Sequence, residues 1–368
     1  MNTFTFELNN ARRDADYSTG KMNQKSPVVE VFSASVFGKD YSHLGKTGEA
    51  ALDYIKGLGA KALADDKSAV SEINEIRKFT IQARLMEEIK LMAIFGSYKP
   101  LAWGDTPYLE TMEIHNVRAD IQAEGQDVST PFARRKKSPL APITISAGVR
   151  ANYRELSLGD FTTEAILIGE VIKQMKNKAN MYVIKTVVEA VRNADDPKFF
   201  LEANGLTKSA TDAFLKRVRR VGQPAITGDI SILEQFTPWA GYVGNVDGTA
   251  VVGMSQKALD EIADTGILGK YNGVVLRQLE NGYDYSKLNA DGTDWETIYP
   301  EGLAFVTPVA PERGLSPVQT FTIGGLTSFT GNDVSTGEVL TRYDLSIAVG
   351  VANADSIGLI HDTSLDTL

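Results

Sequence analysis

The chain contains no cysteine. That excludes a disulfide framework, thiolate metal sites and cysteine catalysis, and it suits a protein made in a reducing cytosol. Histidine is nearly as scarce. His43, His115 and His361 stand far apart with no carboxylate or second histidine at ligand spacing, so they are expected at the surface or at an interface, and no metal site is expected. No apolar run approaches the roughly 18 residues of a membrane span. The opening M-N-T-F-T-F-E-L-N-N-A-R-R-D also lacks the apolar core of a signal peptide. Nor is there a surplus of positive charge: Lys and Arg number 38 against 47 Asp and Glu, a formal net charge of −9. A dedicated nucleic-acid binder is normally basic, so any contact with phosphate would be local.

Enzyme motifs are missing as well. Neither H-E-x-x-H nor G-x-S-x-G occurs. Gly45-Lys46-Thr47 ends like a phosphate-binding loop, but the first glycine of that motif would fall at Asp40 and no strand precedes it. Gly57-Leu58-Gly59-Ala60-Lys61-Ala62 fits a loose dinucleotide fingerprint inside a helical pattern, where glycine punctuation explains it better. Asn289-Ala290-Asp291-Gly292 has too few ligands for a calcium loop and reads as a turn. No catalytic residue and no cofactor is expected.

What is present is enough to build a large core: 368 residues, 43% of them hydrophobic, predict two or more subdomains. Residues 1 to about 45 mix polar residues with short apolar pieces such as Pro27-Val28-Val29-Glu30-Val31-Phe32, the pattern of an extended arm ordered by a partner surface. A short helix over Thr47–Leu63, broken by Gly57 and Gly59, precedes a longer one. That second helix carries Val70, Ile73, Ile81, Leu85, Ile89 and Met92 on one stripe and ends by Gly96 and Pro100.

From Tyr108 the sequence reads Y-L-E-T-M-E-I-H-N-V-R-A-D, then a polar tip, then L-A-P-I-T-I-S-A-G-V-R-A-N-Y-R-E-L. The outgoing strand has no apolar face, so the segment predicts a ribbon exposed on both sides, which has too little apolar content to bury itself and lies across a neighbour. Its tip is expected to carry Arg134, Arg135, Lys136 and Lys137, whose self-repulsion favours extension and contact with an acidic surface; solvated charge is the plainer alternative. The return strand alternates cleanly through Ile143, Ile145, Ala147 and Val149. A long helix follows, with Asp160 as N-cap, Glu164 facing the helix dipole, and a stripe of Ala165, Ile168, Ile172, Met175, Ala179, Tyr182, Thr186 and Ala190. Asn193-Ala194-Asp195-Asp196-Pro197 terminates it.

Beyond Leu206 short elements alternate. A helix over Ala210–Val221 has a basic outer face of Lys216, Arg217, Arg219 and Arg220; another helix runs from Ser255 to Ala263. Strands are expected at Pro224–Thr227, Gly273–Leu276, Leu303–Val306 and Phe321–Ile323, and the alternation of Leu345, Ile347, Val349 and Val351 marks a final one.

This order of parts, together with S-Q-K-A-L-D-E-I-A-D and G-K-Y-N-G-V-V-L-R-Q-L, resembles the tailed-bacteriophage major capsid protein of the Hong Kong 97 type over most of the chain. The resemblance implies an α+β fold with an N-terminal arm (1–66), a peripheral domain (67–107, 146–204 and 335–368) holding a spine helix and a long sheet, an extended β-hairpin loop (108–145), and an axial domain (205–334). It implies a non-enzymatic structural subunit, a homo-oligomer of hexamers and pentamers forming an icosahedral capsid around non-specifically packaged double-stranded DNA. A separate scaffolding protein, a portal and a decoration protein would be its partners, with no membrane involved; it would be assembled in host cytoplasm and end in the virion. Intersubunit contacts would fall at Arg134, Arg135, Lys136 and Lys137 of the loop and at Arg217 and Arg220 of the axial domain. An encapsulin-like compartment shares the fold and stays open as the alternative. Few residues precede the Val70 helix, so a cleaved prodomain is not expected, and no local pattern marks an acceptor asparagine for lysine cross-linking.

Overall fold

The computed structural model describes residues 26–90, 95–114, 132–151, 153–194, 199–220, 222–239, 242–246, 249–288, 292–293, 295–308, 315–332 and 339–366. The first half is mainly helical: α1 (Pro27–Val36), α2 (Gly45–Leu63) and α3 (Lys67–Lys90) precede β1 (Gly96–Leu101), and the ribbon strands β2 (Tyr108–Ile114) and β3 (Ala133–Pro139) lead into β4 (Ile143–Ala151), α4 (Tyr153–Leu158) and the long α5 (Thr162–Arg192). The second half is layered: β5 (Phe200–Ala203), α6 (Lys208–Val218), β6 (Pro224–Gly228), α7 (Ile230–Glu234), β7 (Tyr242–Val246), β8 (Thr249–Gly253), α8 (Gln256–Thr265), β9 (Lys270–Tyr271), β10 (Val274–Gln278), β11 (Tyr283–Leu288), β12 (Trp295–Thr297) and β13 (Leu303–Pro308). Three strands close the chain: β14 (Val318–Asn332), β15 (Val339–Val351) and β16 (Gly358–Asp362). The class is α+β, as expected.

Helix α5 has 31 residues, about 46 Å at 1.5 Å per residue. Its buried stripe is Ile168, Ile172, Met175 and Ala179, then Val183, Val187 and Val191. The predicted Tyr182, Thr186 and Ala190 lie one position off that face, because the more apolar neighbour takes the core side. Asp160 accepts from the Thr162 N–H at 3.0 Å, one residue before the helix boundary at Phe161.

The stripe packs on a four-stranded sheet ordered β1-β14-β15-β4. Tyr343, Leu345, Ile347 and Val349 of β15 point into this core, with Ile145 of β4 and helices α1 to α3. A six-stranded sheet, β5-β16-β13-β6-β10-β9, forms the other layer. In β13, Leu303 and Phe305 face the helical core while Ala304 and Val306 face a second core built with Phe214, Ile232 and Phe236. Burial on both faces is why this strand reads as an unbroken apolar run.

Several expectations are corrected. Residues 27–36 are a helix buried in the chain's own core through Val28, Val31 and Phe32, not part of an extended arm; Pro27 occupies the first turn, where its missing N–H costs nothing. Helix α2 is unbroken: a side chain at Gly59 would come within 2.7 Å of the Ser157 backbone nitrogen, so the glycine permits close packing against α4. Gly96 and Pro100 lie in an edge strand. The boundary at 334 does not follow the sheets, since β14 belongs with β1, β15 and β4, whereas β16 joins β5 and β13. Within β14, Gly324 and Gly325 have φ of +69° and +71° and mark a bulge between Ile323 and Leu326, where β1 stops pairing.

Candidate assembly surfaces

The ribbon β2–β3 is anchored firmly at its base and exposed along β3. The side chain of Gln319, buried in β14, grips the Glu110 peptide from both sides: the Glu110 N–H donates to Oε1 at 3.0 Å and Nε2 donates to the Glu110 carbonyl at 2.8 Å. The Leu140 N–H donates to the Pro107 carbonyl at 2.9 Å and closes the base. Beyond that base, residues 132–137 are all exposed.

The basic run is not at the tip. Residues 115–131, with His115, lie outside the described residues, and Arg134–Lys137 sit on β3 in register with β2, Lys137 opposite Glu110 and Arg134 opposite Glu113. Lys137 Nζ reaches Glu110 Oε1 at 2.9 Å and Lys136 Nζ lies 3.9 Å from Glu113 Oε1. The hydrogen bond from Lys137 holds the Glu110 carboxyl below its ordinary range. Half of the basic run is thus used across the ribbon, and Arg134 and Arg135 have no ion pair among the described residues.

The basic helix is divided similarly. Arg219 donates from Nη1 to the Asn272 carbonyl at 2.8 Å, next to Asp212, which accepts from Tyr271 Oη and Asn272 Nδ2 at 2.7 Å each. Arg219 therefore ties α6 to β9. Lys216, Arg217 and Arg220 are exposed, with the Arg217 guanidinium 5.9 Å from the Phe214 ring centroid. Their place at the C-terminal end of α6 also suits the helix dipole. Among the described residues no contact joins Arg217 or Arg220 to Arg134 or Arg135, so the two surfaces stand apart.

Two buried clusters were not foreseen. Glu164 is not a solvated first-turn acid: it forms a two-pronged ion pair with Arg77 of α3, Nε to Oε2 at 2.9 Å and Nη2 to Oε1. Arg77 Nη1 also donates to Asn74 Oδ1 at 3.2 Å, and Asn74 hydrogen-bonds Thr330 and Thr341 of the sheet. Burial alone would lower the Arg77 pKa, but Glu164 outweighs it and the result is raised. His361 is likewise not at the surface. It is buried in β16 between Glu202 and Asp366, with Glu202 Oε1 2.6 Å and Arg192 Nη2 2.8 Å from its Nδ1. His43 is exposed and pairs with Glu30 at 2.9 Å. Among the described residues no group of His, Cys, Asp or Glu could hold a metal ion, and no helix is long and apolar enough to cross a membrane.

Solved structures similar to this chain include the mature capsid of bacteriophage PhiM1, at 14% identity and a TM-score of 0.45, covering 73% of this chain and 86% of that one. The holo-SrpI encapsulin of Synechococcus elongatus PCC 7942 is similar at 12% identity and a TM-score of 0.44, covering 75% and 88%. The satellite phage P4 procapsid is similar at 10% identity and a TM-score of 0.45, covering 77% and 90%. No curated protein matches the chain. The sequence model of one family, described as "SPbeta prophage-derived putative capsid protein YonB", matches residues 8–361. Since the match takes in nearly the whole chain, the protein belongs to this prophage capsid-protein family.

Proposed function

We propose that the chain is the structural, non-enzymatic subunit of an icosahedral shell of the Hong Kong 97 type, assembling as hexamers and pentamers to enclose double-stranded DNA. The observation that carries this reading is the ribbon: it is clamped at its base by Gln319, yet β3 is exposed from Ala133 to Lys137, so that strand gains no burial from its own fold. A rigid arm of this kind gains burial only from a neighbour, and head-to-tail contacts that close into rings supply one. On this reading α5 is the spine, the peripheral domain also takes in β14, and the axial domain is built on the second core. A scaffolding protein, a portal and a decoration protein are its partners, assembly takes place in host cytoplasm, and the finished subunit resides in the virion.

Negative-stain microscopy of the purified protein tests this, with rings or shells expected. A monodisperse monomer under all assembly conditions would refute it. Nuclease-protected double-stranded DNA inside the particles separates a phage coat from an encapsulin-like shell, which would hold cargo protein instead. Arg134→Ser with Arg135→Ser should lower particle yield and salt tolerance, because exposed pairs worth about 0–1 kcal/mol each add up over a repeated lattice. Unchanged yield would mean that the two arginines are simply solvated.

A further inference from the structure

The small ribbon β11–β12 carries an aromatic face that neither core uses. Tyr283 and Tyr285 lie two residues apart and so share one side of β11, and a bulge brings Leu288 opposite Trp295. Tyr285 and Trp295 meet edge to face with ring centroids 5.3 Å apart, and Tyr283 lies 6.5 Å from Tyr285. Despite this mutual packing, Tyr285 remains 64% exposed, Leu288 60%, Trp295 46% and Tyr283 45%. The face continues onto α5, where Met181, 40% exposed, shares a shallow groove with Tyr283.

Area decides what this face can be. An aromatic side chain buries roughly 150–250 Å² when covered, so five large apolar side chains at about half exposure leave on the order of 400–500 Å² of apolar surface. That reaches the size of the largest patches a monomer normally shows, which are often functional. It also equals the apolar share of one side of a standard interface, about 57% of roughly 800 Å². The rings already hold one another in place, so covering them freezes few additional rotamers.

Charge decides what covers it. Most cations around the face are engaged: Lys287 Nζ lies 3.5 Å from Glu296, Lys176 Nζ lies 3.8 Å from Glu280, and Lys173 Nζ stands 5.2 Å above the Tyr285 ring, while Lys178, which lines the same groove, is the exposed exception. A phosphate backbone is bound by several cations free to replace its counterions, and this rim offers only Lys178. Duplex DNA presents no open base face for the rings to stack on, in contrast to single strands. We infer that the aromatic face of β11–β12, with the adjoining exposed side of α5, is a contact surface for a second copy of this chain. The inference rests on the shell reading and adds to it a particular surface distinct from the ribbon β2–β3 and the basic end of α6.

The absence of cysteine allows a direct test, since a single introduced thiol is unique. Leu288→Cys is labelled with a maleimide in dissociated subunits and in assembled particles, and labelling should be at least tenfold slower in particles. A photoreactive benzoylphenylalanine placed at Tyr285 should yield adducts of two chains of this protein on irradiation of particles. Tyr285→Ser with Trp295→Ser, changes at exposed positions, should reduce particle yield while leaving the circular dichroism of the subunit unchanged. Equal labelling in particles and subunits overturns the contact, as does an adduct with a different protein or with DNA. If the unaltered protein forms no particles at all, the shell reading falls and this inference falls with it.

Discussion

Replacing Glu164 by glutamine would strand a buried guanidinium. Arg77 and Glu164 have side-chain exposures of 1% and 5%, so neither charge can be rescued by water. Three Arg77 nitrogens are committed to Glu164 and Asn74, and the Tyr153 ring covers the guanidinium at 5.3 Å from its centroid. A glutamine amide would accept one N–H but turn its own N–H₂ towards the other. Breaking a buried pair in this way costs about 3–5 kcal/mol. At a urea dependence of about 3 kcal/mol per molar, the top of the range expected for small proteins, the unfolding midpoint of unassembled subunits should fall by roughly 1–2 M, followed by circular dichroism. Removing both charges, Arg77→Met with Glu164→Leu, should recover most of the loss because no charge is left unpaired. A midpoint for Glu164→Gln within about 0.3 M of the unaltered protein, on the same scale, would refute this account. So would a double variant as unstable as the single.

Asp362 is fully buried; burial alone would raise its carboxyl, but hydrogen bonds from Ser364, Gln235 and the Gly205 N–H outweigh that and bring it down to about 2. A depressed value stabilises the fold above the ordinary carboxylate range and is lost as pH falls through about 2, so Asp362→Asn should cost about 2 kcal/mol at neutral pH, and the gap should close between roughly pH 4 and 2. Urea midpoints that differ by the same amount at every pH would contradict this. Gly324→Ala should cost roughly 1–2 kcal/mol for the left-handed backbone alone, with a further loss because the new Cβ would lie 2.7 Å from the Trp103 indole. Trp103→Ala should relieve the second part and leave the first, read as thermal midpoints of the single and double variants. Arg217→Glu with Arg220→Glu should block capsomer formation before any genome is present; empty shells of normal yield with altered DNA retention would make the end of α6 a genome contact.

Legibility followed the range of the interactions. Helix α5 could be read because periodicity is a local signal, but of the ribbon only the outgoing strand was legible: the expected return strand Ile143–Val149 pairs with β15 as β4, and the basic run supplies β3 instead. The helix at Pro27 was obscured by Val28, Val29 and Val31, whose β-branched side chains suggest extended chain, although proline in the first turn was the available clue. Arg77 and Glu164 are 87 residues apart, and each alone looks like a solvated polar position. His361 meets Glu202 only because β16 runs parallel to β5 with those two residues in register, a pairing that no spacing along the chain discloses. The strand expected at Phe321–Ile323 stops short of the double glycine at 324, whereas the glycines bend a single 15-residue strand. The aromatic face of β11–β12 was open to reading, since Y-D-Y followed by a tryptophan is a period-2 pattern, but a short pattern of that kind does not say which side is covered.

The distribution of strong and weak contacts bears on how such a subunit could assemble. Inside the chain the joints are costly to break: a desolvated ion pair binds α3 to α5, and a bidentate amide holds the base of the ribbon. The outward charged groups are different in kind, since Lys137 is 60% exposed and Lys136 63% exposed, and exposed pairs contribute about 0–1 kcal/mol each. A rigid arm bearing weak contacts loses little entropy when it docks, yet any one misplaced contact can dissociate before its neighbours trap it. Closure of many such contacts then supplies the stability that no single one has. On the proposed shell reading, the overall charge of −9 would act in the same direction towards packaged DNA. Every phosphate neutralised by a basic residue adds salt-sensitive affinity, so a coat that must let DNA slide in and out does best with its cations already paired to its own carboxylates. Lys137 with Glu110, Lys287 with Glu296 and Arg192 with Glu202 are all paired in this way.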